Sequence, residues 1–173
     1  MGKRSEFERK ERDFYPTPIS AVEPLISHIT RGSSFYEPCA GDNRLVSHLE
    51  SFGLICTGSS DIEPQHENVK EIDALEVSNV TADYIITNPP WDRKLLHPMI
   101  DYFSDITPTW LLFDSDWMHT KQSIQYLPKL KRIVSIGRVK WIEGSKSVGK
   151  DNCCWYLFSK TPTVAPVEFC GRK

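Results

Sequence analysis

Tyr84 to Phe113 reads YIITNPPWDRKLLHPMIDYFSDITPTWLLF, and its three parts decide the fold class. Tyr84-Ile85-Ile86 is a short apolar run of strand-forming residues that stops at the breakers Asn88-Pro89-Pro90. Leu95 to Phe103 then carries apolar residues at helical spacing, and Trp110 to Phe113 is a second short apolar run. Strand, helix and strand in this order predict parallel pairing with a crossover helix.

The alternation extends in both directions. Upstream, the strand candidates are Phe35-Tyr36, Leu54-Ile55-Cys56 and Val69 to Ile72, and Arg44 to Ser51 is a helix candidate ended by Gly53. From Pro18 a further helical pattern places Val22, Leu25, Ile26 and Ile29 on one face, with Ser20 and Glu23 spaced for a capping box and Pro24 in the first turn or at a kink. Thr17 could equally cap a helix with Pro18 at its first position. Downstream, Ser115 to Leu127 reads as a helix, followed by strands at Ile133 to Ile136 and Cys154 to Phe158. These last two are joined by a polar, glycine-containing loop, so they should pair antiparallel. The expected fold is α/β, a doubly wound, mostly parallel seven-stranded sheet with a C-terminal antiparallel hairpin. Residues 1–13 read as a charged arm, 14–160 as one domain, and 161–173 as an extended peripheral tail.

Composition narrows the function. The 173 residues carry a formal charge of −2, with ordinary apolar and charged fractions, so no global nucleic-acid footprint exists. No apolar run approaches the ~20 residues of a membrane-spanning helix, and the charged N-terminus is unlike a secretory signal, which predicts a cytoplasmic protein with no membrane partner. The five cysteines lack CxxC spacing and the five histidines lack a ligand motif, so reduced thiols and no metal are expected. Lys129, Lys131, Arg132, Arg138, Lys140, Lys146 and Lys150 face Glu143 alone over one short stretch, which could meet phosphate or form a solvated face.

Ligands of open α/β sheets bind beyond the carboxyl ends of the strands. The first strand runs into Glu37-Pro38-Cys39-Ala40-Gly41-Asp42-Asn43, whose small residues allow close backbone approach. One glycine is a poor match to GxGxxG, so a nucleotide phosphate is not the first choice. Asp61, between Ser60 and Ile62, is placed to hold a ribose diol; Asp73, before Ala74, ends the third strand. Two acids without a Lys or Arg clamp suggest a nucleoside carrying positive charge.

Phe14-Tyr15-Pro16-Thr17-Pro18, the Glu37 to Asn43 loop, Ser60-Asp61-Ile62, Ile72-Asp73-Ala74 and Asn88-Pro89-Pro90-Trp91 together resemble S-adenosylmethionine-dependent DNA adenine-N6 methyltransferases, above all the short phage-type members. The likeness runs from Phe14 to Ser159 and implies a Rossmann-like class I methyltransferase domain, acting in the host cytoplasm if phage-encoded. It implies that Tyr15, Thr17 and Pro18 bound the methionine carboxylate, and that Glu37 with the backbone of Cys39, Ala40 and Gly41 holds the methionine amino group. Asp61 and Ile62 would take the ribose, and Asp73 and Ala74 the cofactor adenine. Asp42-Asn43 stands where the family has a second glycine, although Asn tolerates a left-handed backbone.

The tetrapeptide has its own chemical logic. An exocyclic adenine amine is a poor nucleophile because its lone pair is delocalised. The Asn88 side-chain oxygen and the Pro89 carbonyl can accept its two hydrogens and favour a pyramidal nitrogen aimed at a sulfonium methyl. Pro90 stiffens the backbone, and Trp91 offers a face for an unstacked base. A strand-ending turn with a packed indole is the plainer alternative. On the substrate side, Trp117 could wall the base pocket or pack in the core. Arg138, Lys146 and Lys150 could contact phosphate, and Trp141 could meet the base. No segment is long enough for a separate target-recognition domain. Three readings result: a DNA adenine methyltransferase, monomeric or homodimeric; an RNA adenine or protein glutamine methyltransferase with the same pocket; and a non-catalytic binding protein of this fold.

Overall fold

The computed structural model describes residues 15–142, 144, 148–161 and 165–172; the charged arm and Lys146 lie outside the described residues. Among the described residues three α-helices alternate with strands: α1 (Ile19–Ile26), α2 (Arg44–Ser51) and α3 (Arg93–Ile106). The strands are β1 (Ser34–Glu37), β2 (Ile55–Asp61), β3 (Lys70–Glu71), β4 (Tyr84–Thr87), β5 (Thr109–Asp114), β6 (Leu130–Arg138), β7 (Asn152–Phe158) and β8 (Glu168–Cys170). They form one sheet in the order β3-β2-β1-β4-β5-β7-β6-β8. Pairing is parallel from β3 to β5, and β7 runs antiparallel to both β5 and β6. The expected class is therefore the observed one. The sheet has eight strands rather than seven because the C-terminal tail, expected to be extended and peripheral, adds β8 parallel to β6 at the edge.

Burial explains the two-layer winding. Along β4 and β5, Ile86, Trp110 and Leu112 face one layer, packed with Val22, Leu25 and Leu49 of α1 and α2. Ile85, Leu111 and Phe113 face the other, packed with Leu96, Ile100 and Phe103 of α3. Both faces of the central strands are covered, so these strands read as continuous apolar runs rather than alternating ones. Each such side chain taken from water contributes about 1.5–3 kcal/mol.

Two local expectations fail for identifiable reasons. Ser115 to Leu127 is not an α-helix but short 3-10 turns at Ser115–His119, Lys121–Ser123 and Leu127–Lys129. Side-chain hydroxyls compete for its carbonyls: Thr120 Oγ1 donates to Trp117 O at 2.8 Å, and Ser123 Oγ donates to Thr120 O at 2.8 Å. The capping box is also absent. Helix α1 starts at Ile19 with Pro18 as its N-cap and no side-chain cap, which leaves Ser20 and Glu23 inside the helix. Pro24 lies within α1, beyond the first turn. Thr17 caps nothing; its hydroxyl is engaged elsewhere.

Candidate active site

The sheet order reverses between β1 and β4, so the loops after them separate at a switch point and leave a crevice. A cleft of about 340 Å³ opens there, lined by residues following β1, β2, β3 and β4 and by Tyr15, Pro16 and Thr17. That volume lies within the range of small-molecule sites. Asp42, Asp61, Glu63 and Asp73 line it, and among the described residues no Lys or Arg does. The field at the mouth therefore favours a cation.

The loop after β1 is held by its neighbours. Gly41 takes φ +48° and Asn43 takes φ +64°, so the asparagine supplies the left-handed turn before α2. The Gly41 amide donates to Asp61 Oδ2 at 2.9 Å, while Asp61 Oδ1 accepts from the Glu63 amide at 2.8 Å. Asp61 thus ties the loop after β1 to the end of β2 and still borders the cleft. Asp73 Oδ1 accepts from the Leu75 amide at 2.9 Å in the same manner.

Glu37 ends β1 with no exposed surface, and neither carboxyl oxygen makes a hydrogen bond of good geometry, although the Thr87 hydroxyl and the Cys39 amide lie close to it. Burial pushes its pKa to about 8 against an ordinary 4.5; the Thr87 hydroxyl and the Cys39 amide oppose the rise, and Asp61 adds to it. Burial, reinforced by Glu37, likewise raises the Cys39 thiol, which stays protonated. A buried carboxyl without a well-formed hydrogen bond is a costly feature for which packing gives no return.

Asn88 follows β4 with all its amide groups accounted for. Nδ2 donates to Thr17 Oγ1 at 3.1 Å and to the Tyr15 carbonyl at 3.3 Å. Oδ1 accepts from Trp91 Nε1 at 3.3 Å, and the same indole N–H is shared with the Leu112 carbonyl at 3.1 Å. A carbonyl only accepts and an indole N–H only donates, so the amide has one orientation that suits its neighbours. Its oxygen retains a second lone pair.

Of the residues singled out in the sequence, Tyr15, Thr17, Cys39, Ala40, Asp61, Ile62, Asp73, Ala74, Asn88 and Pro90 line the cleft. Pro18, Glu37, Gly41, Pro89 and Trp91 do not: Glu37 and Pro89 are buried, and Trp91 is half-buried against both layers of the core. Trp91 meets Trp141 edge-on at 5.7 Å between centroids, and Trp141 approaches Tyr15 at 6.4 Å. Sequence reasoning missed Glu63, Gln65, Leu75, Leu95 and Met99 in the lining. The first three sit two to four residues beyond Asp61 or Asp73, and Leu95 and Met99 share one face of α3 at i,i+4 spacing. Those spacings were the available signal.

Trp117 is a correction. It is fully buried among Phe113, Tyr126, Tyr156 and Phe158, and its Nε1 donates to His97 Nε2 at 3.1 Å. An apolar ring with its one polar atom satisfied belongs to the core, not to a base pocket. The basic stretch also divides. Lys129 pairs with Asp101 and Asp105, Arg132 pairs with Glu168, and Lys131 bonds the Thr161 carbonyl. Arg138, by contrast, ends β6 opposite Asn152, beside the carboxyl end of β5, and is exposed with Lys140; Lys150 is exposed as well.

No family model matches the chain, and no curated protein matches its sequence. Solved structures do. A Pyrococcus horikoshii protein named as an RNA methyltransferase aligns at 16% identity and TM-score 0.56, over 89% of this chain and 90% of its own. A Listeria monocytogenes protein named as a class I S-adenosylmethionine-dependent methyltransferase aligns at 11% and 0.59, over 96% and 68%. A dimethyladenosine transferase from Plasmodium falciparum aligns at 13% and 0.55, over 87% of this chain and 63% of that one, so the match spans less than two thirds of that enzyme. Identities this low carry the architecture alone: the chain has the Rossmann-like fold that these proteins share.

Proposed function

We propose that the protein transfers a methyl group from S-adenosylmethionine to the exocyclic N6 amine of adenine in DNA. The observation that carries this reading is the Asn88 amide, whose two N–H groups are engaged by Tyr15 and Thr17 while its oxygen keeps an acceptor site beside an acid-lined cleft. The cleft suits the cofactor: it has the volume and four acids to meet a sulfonium and an ammonium. Asp61 would hold the ribose, Asp73 and Ala74 the adenine, and Tyr15, Thr17, Pro18 and the Cys39 to Gly41 backbone the amino-acid end. When bound, the cofactor supplies an electrophilic methyl on sulfur.

The chain's own residues do the remaining work. Asn88 Oδ1 and the Pro89 carbonyl accept the two amine hydrogens, so the nitrogen lone pair turns toward the methyl as positive charge develops. The methylated nitrogen then loses one proton to water. Trp91 and Trp141 bring aromatic surface to this sheet edge, and Arg138, Lys140 and Lys150 bring positive charge for a phosphate backbone. The motif order in the sequence supports DNA. A second reading, RNA adenine, has support in the fold likeness to proteins named as an RNA methyltransferase and a dimethyladenosine transferase.

Methyl-labelled S-adenosylmethionine incubated separately with duplex DNA, single-stranded DNA, RNA and protein extract tests the proposal, with the labelled nucleoside identified by chromatography. N6-methyladenine in DNA is expected. Label confined to RNA or protein moves the substrate, and cofactor binding without label on any substrate overturns the enzyme reading.

A further inference from the structure

We propose that the Thr17 hydroxyl is a positioning group that couples occupancy of the cleft to the aim of the Asn88 amide; this rests on the functional reading above. Thr17 is 4% exposed, lines the cleft, and accepts from Asn88 Nδ2 at 3.1 Å. A hydroxyl also carries one hydrogen to donate. Among the described residues that hydrogen has no acceptor, which is unusual for a group so deeply buried. The cleft is where an acceptor can arrive, and the one anionic group of the proposed cofactor is its carboxylate.

A hydroxyl that donates to an anion becomes a stronger acceptor at its own oxygen. Ligand binding at Thr17 therefore tightens its hold on Asn88 Nδ2. Among the described residues the amide has one other fixed donor contact, the longer one to the Tyr15 carbonyl, and one donor facing its oxygen, the shared indole N–H of Trp91. Without the Thr17 contact only these two longer bonds oppose a turn of the amide, and a turned amide would present N–H groups to the hydrogens of the substrate amine. With the cleft filled, the acceptor is aimed before the base arrives. Thr17 would touch the cofactor and the aiming residue at once, and it reaches Asn88, in the turn after β4, from the stretch before α1.

The test compares the wild type with Thr17→Val, which keeps the shape without the hydroxyl, and Thr17→Ser, which restores it. Titration calorimetry with S-adenosylhomocysteine reads affinity, single-turnover kinetics with saturating cofactor read transfer, and 15N-indole spectra read the Trp91 N–H against the four other tryptophans, assigned by its loss in Trp91→Phe. Transfer should fall about tenfold or more in Thr17→Val at saturating cofactor, and Thr17→Ser should recover most of it. S-adenosylhomocysteine should shift the Trp91 indole signal in the wild type and Thr17→Ser and leave it nearly still in Thr17→Val. A Thr17→Val protein with a raised KM but unchanged saturated rate, or with an undiminished Trp91 shift, overturns the coupling while the functional reading stands. A wild type that neither binds the ligand nor transfers methyl overturns the functional reading, and the coupling with it.

Discussion

Glu37→Gln isolates the buried carboxyl beneath the cleft, and its signature is the pH dependence of stability. The folded chain holds this group's pKa near 8, the unfolded chain near 4.5. Between those values the folded state binds the extra proton, so the wild type loses stability as pH rises from about 4.5 and the loss levels off above about 8. The gap of about 3.5 pH units, at about 1.36 kcal/mol per unit, amounts to roughly 5 kcal/mol in full, of which about 4 kcal/mol falls between pH 5 and 9. A glutamine cannot ionise, so that part of the pH dependence disappears. Urea unfolding of both proteins at pH 5, 6, 7, 8 and 9 measures it. The stability of Glu37→Gln minus that of the wild type should grow with pH by several kcal/mol, whatever constant offset the amide introduces. Parallel curves would refute the reasoning and show that Glu37 is solvated or ion-paired in the folded chain.

Other outcomes follow from the same contacts. Asn88→Ala should lower the transfer rate by about 10²–10³-fold while S-adenosylmethionine affinity changes little, since what is lost is charge stabilisation at the reacting nitrogen; unchanged turnover would remove Asn88 from the chemistry. Asp61→Ala takes away both a cleft wall and the acceptor for the Gly41 amide, so calorimetry should show cofactor affinity down by about 10- to 100-fold. Trp117→Ala should cost about 3–5 kcal/mol in urea unfolding, because it empties a fully buried site, and a smaller loss would contradict its place in the core. Arg138→Ala and Lys140→Ala should each flatten the salt dependence of DNA binding by about one unit of slope, whereas Lys129→Ala, already paired with Asp101 and Asp105, should leave it unchanged.

The α/β class was legible because hydrophobic periodicity is local. β4, α3 and β5 announce themselves in Tyr84 to Phe113, and the breakers Asn88-Pro89-Pro90 mark the sheet edge where a site belongs. The acids at Asp61 and Asp73 were legible for the same reason, although only Asp61 ends its strand and Asp73 lies two residues beyond β3, which stops at Glu71. The segment after β5 was not: its apolar spacing suits a helix, but hydroxyls and Asp114 turn the backbone into 3-10 turns through contacts that hydrophobicity does not encode. Strand β8 was equally hidden, because three residues acquire strand structure only from the β6 edge beside them.

The sequence by itself determined the kinds of groups available: an amide between apolar strand and prolines, acids after strands, and cations near the last hairpin. The tertiary structure alone decided which of them work together. It spread Lys129, Lys131 and Arg132 onto other partners and left Arg138 exposed beside the end of β5. It also sent Trp117 inward and kept Trp141 against Trp91. Above all, it brought Thr17 within 3.1 Å of Asn88 across 71 residues of chain. A hydrogen bond reads distance and direction in space, and neither is written in a local pattern until the sheet has closed.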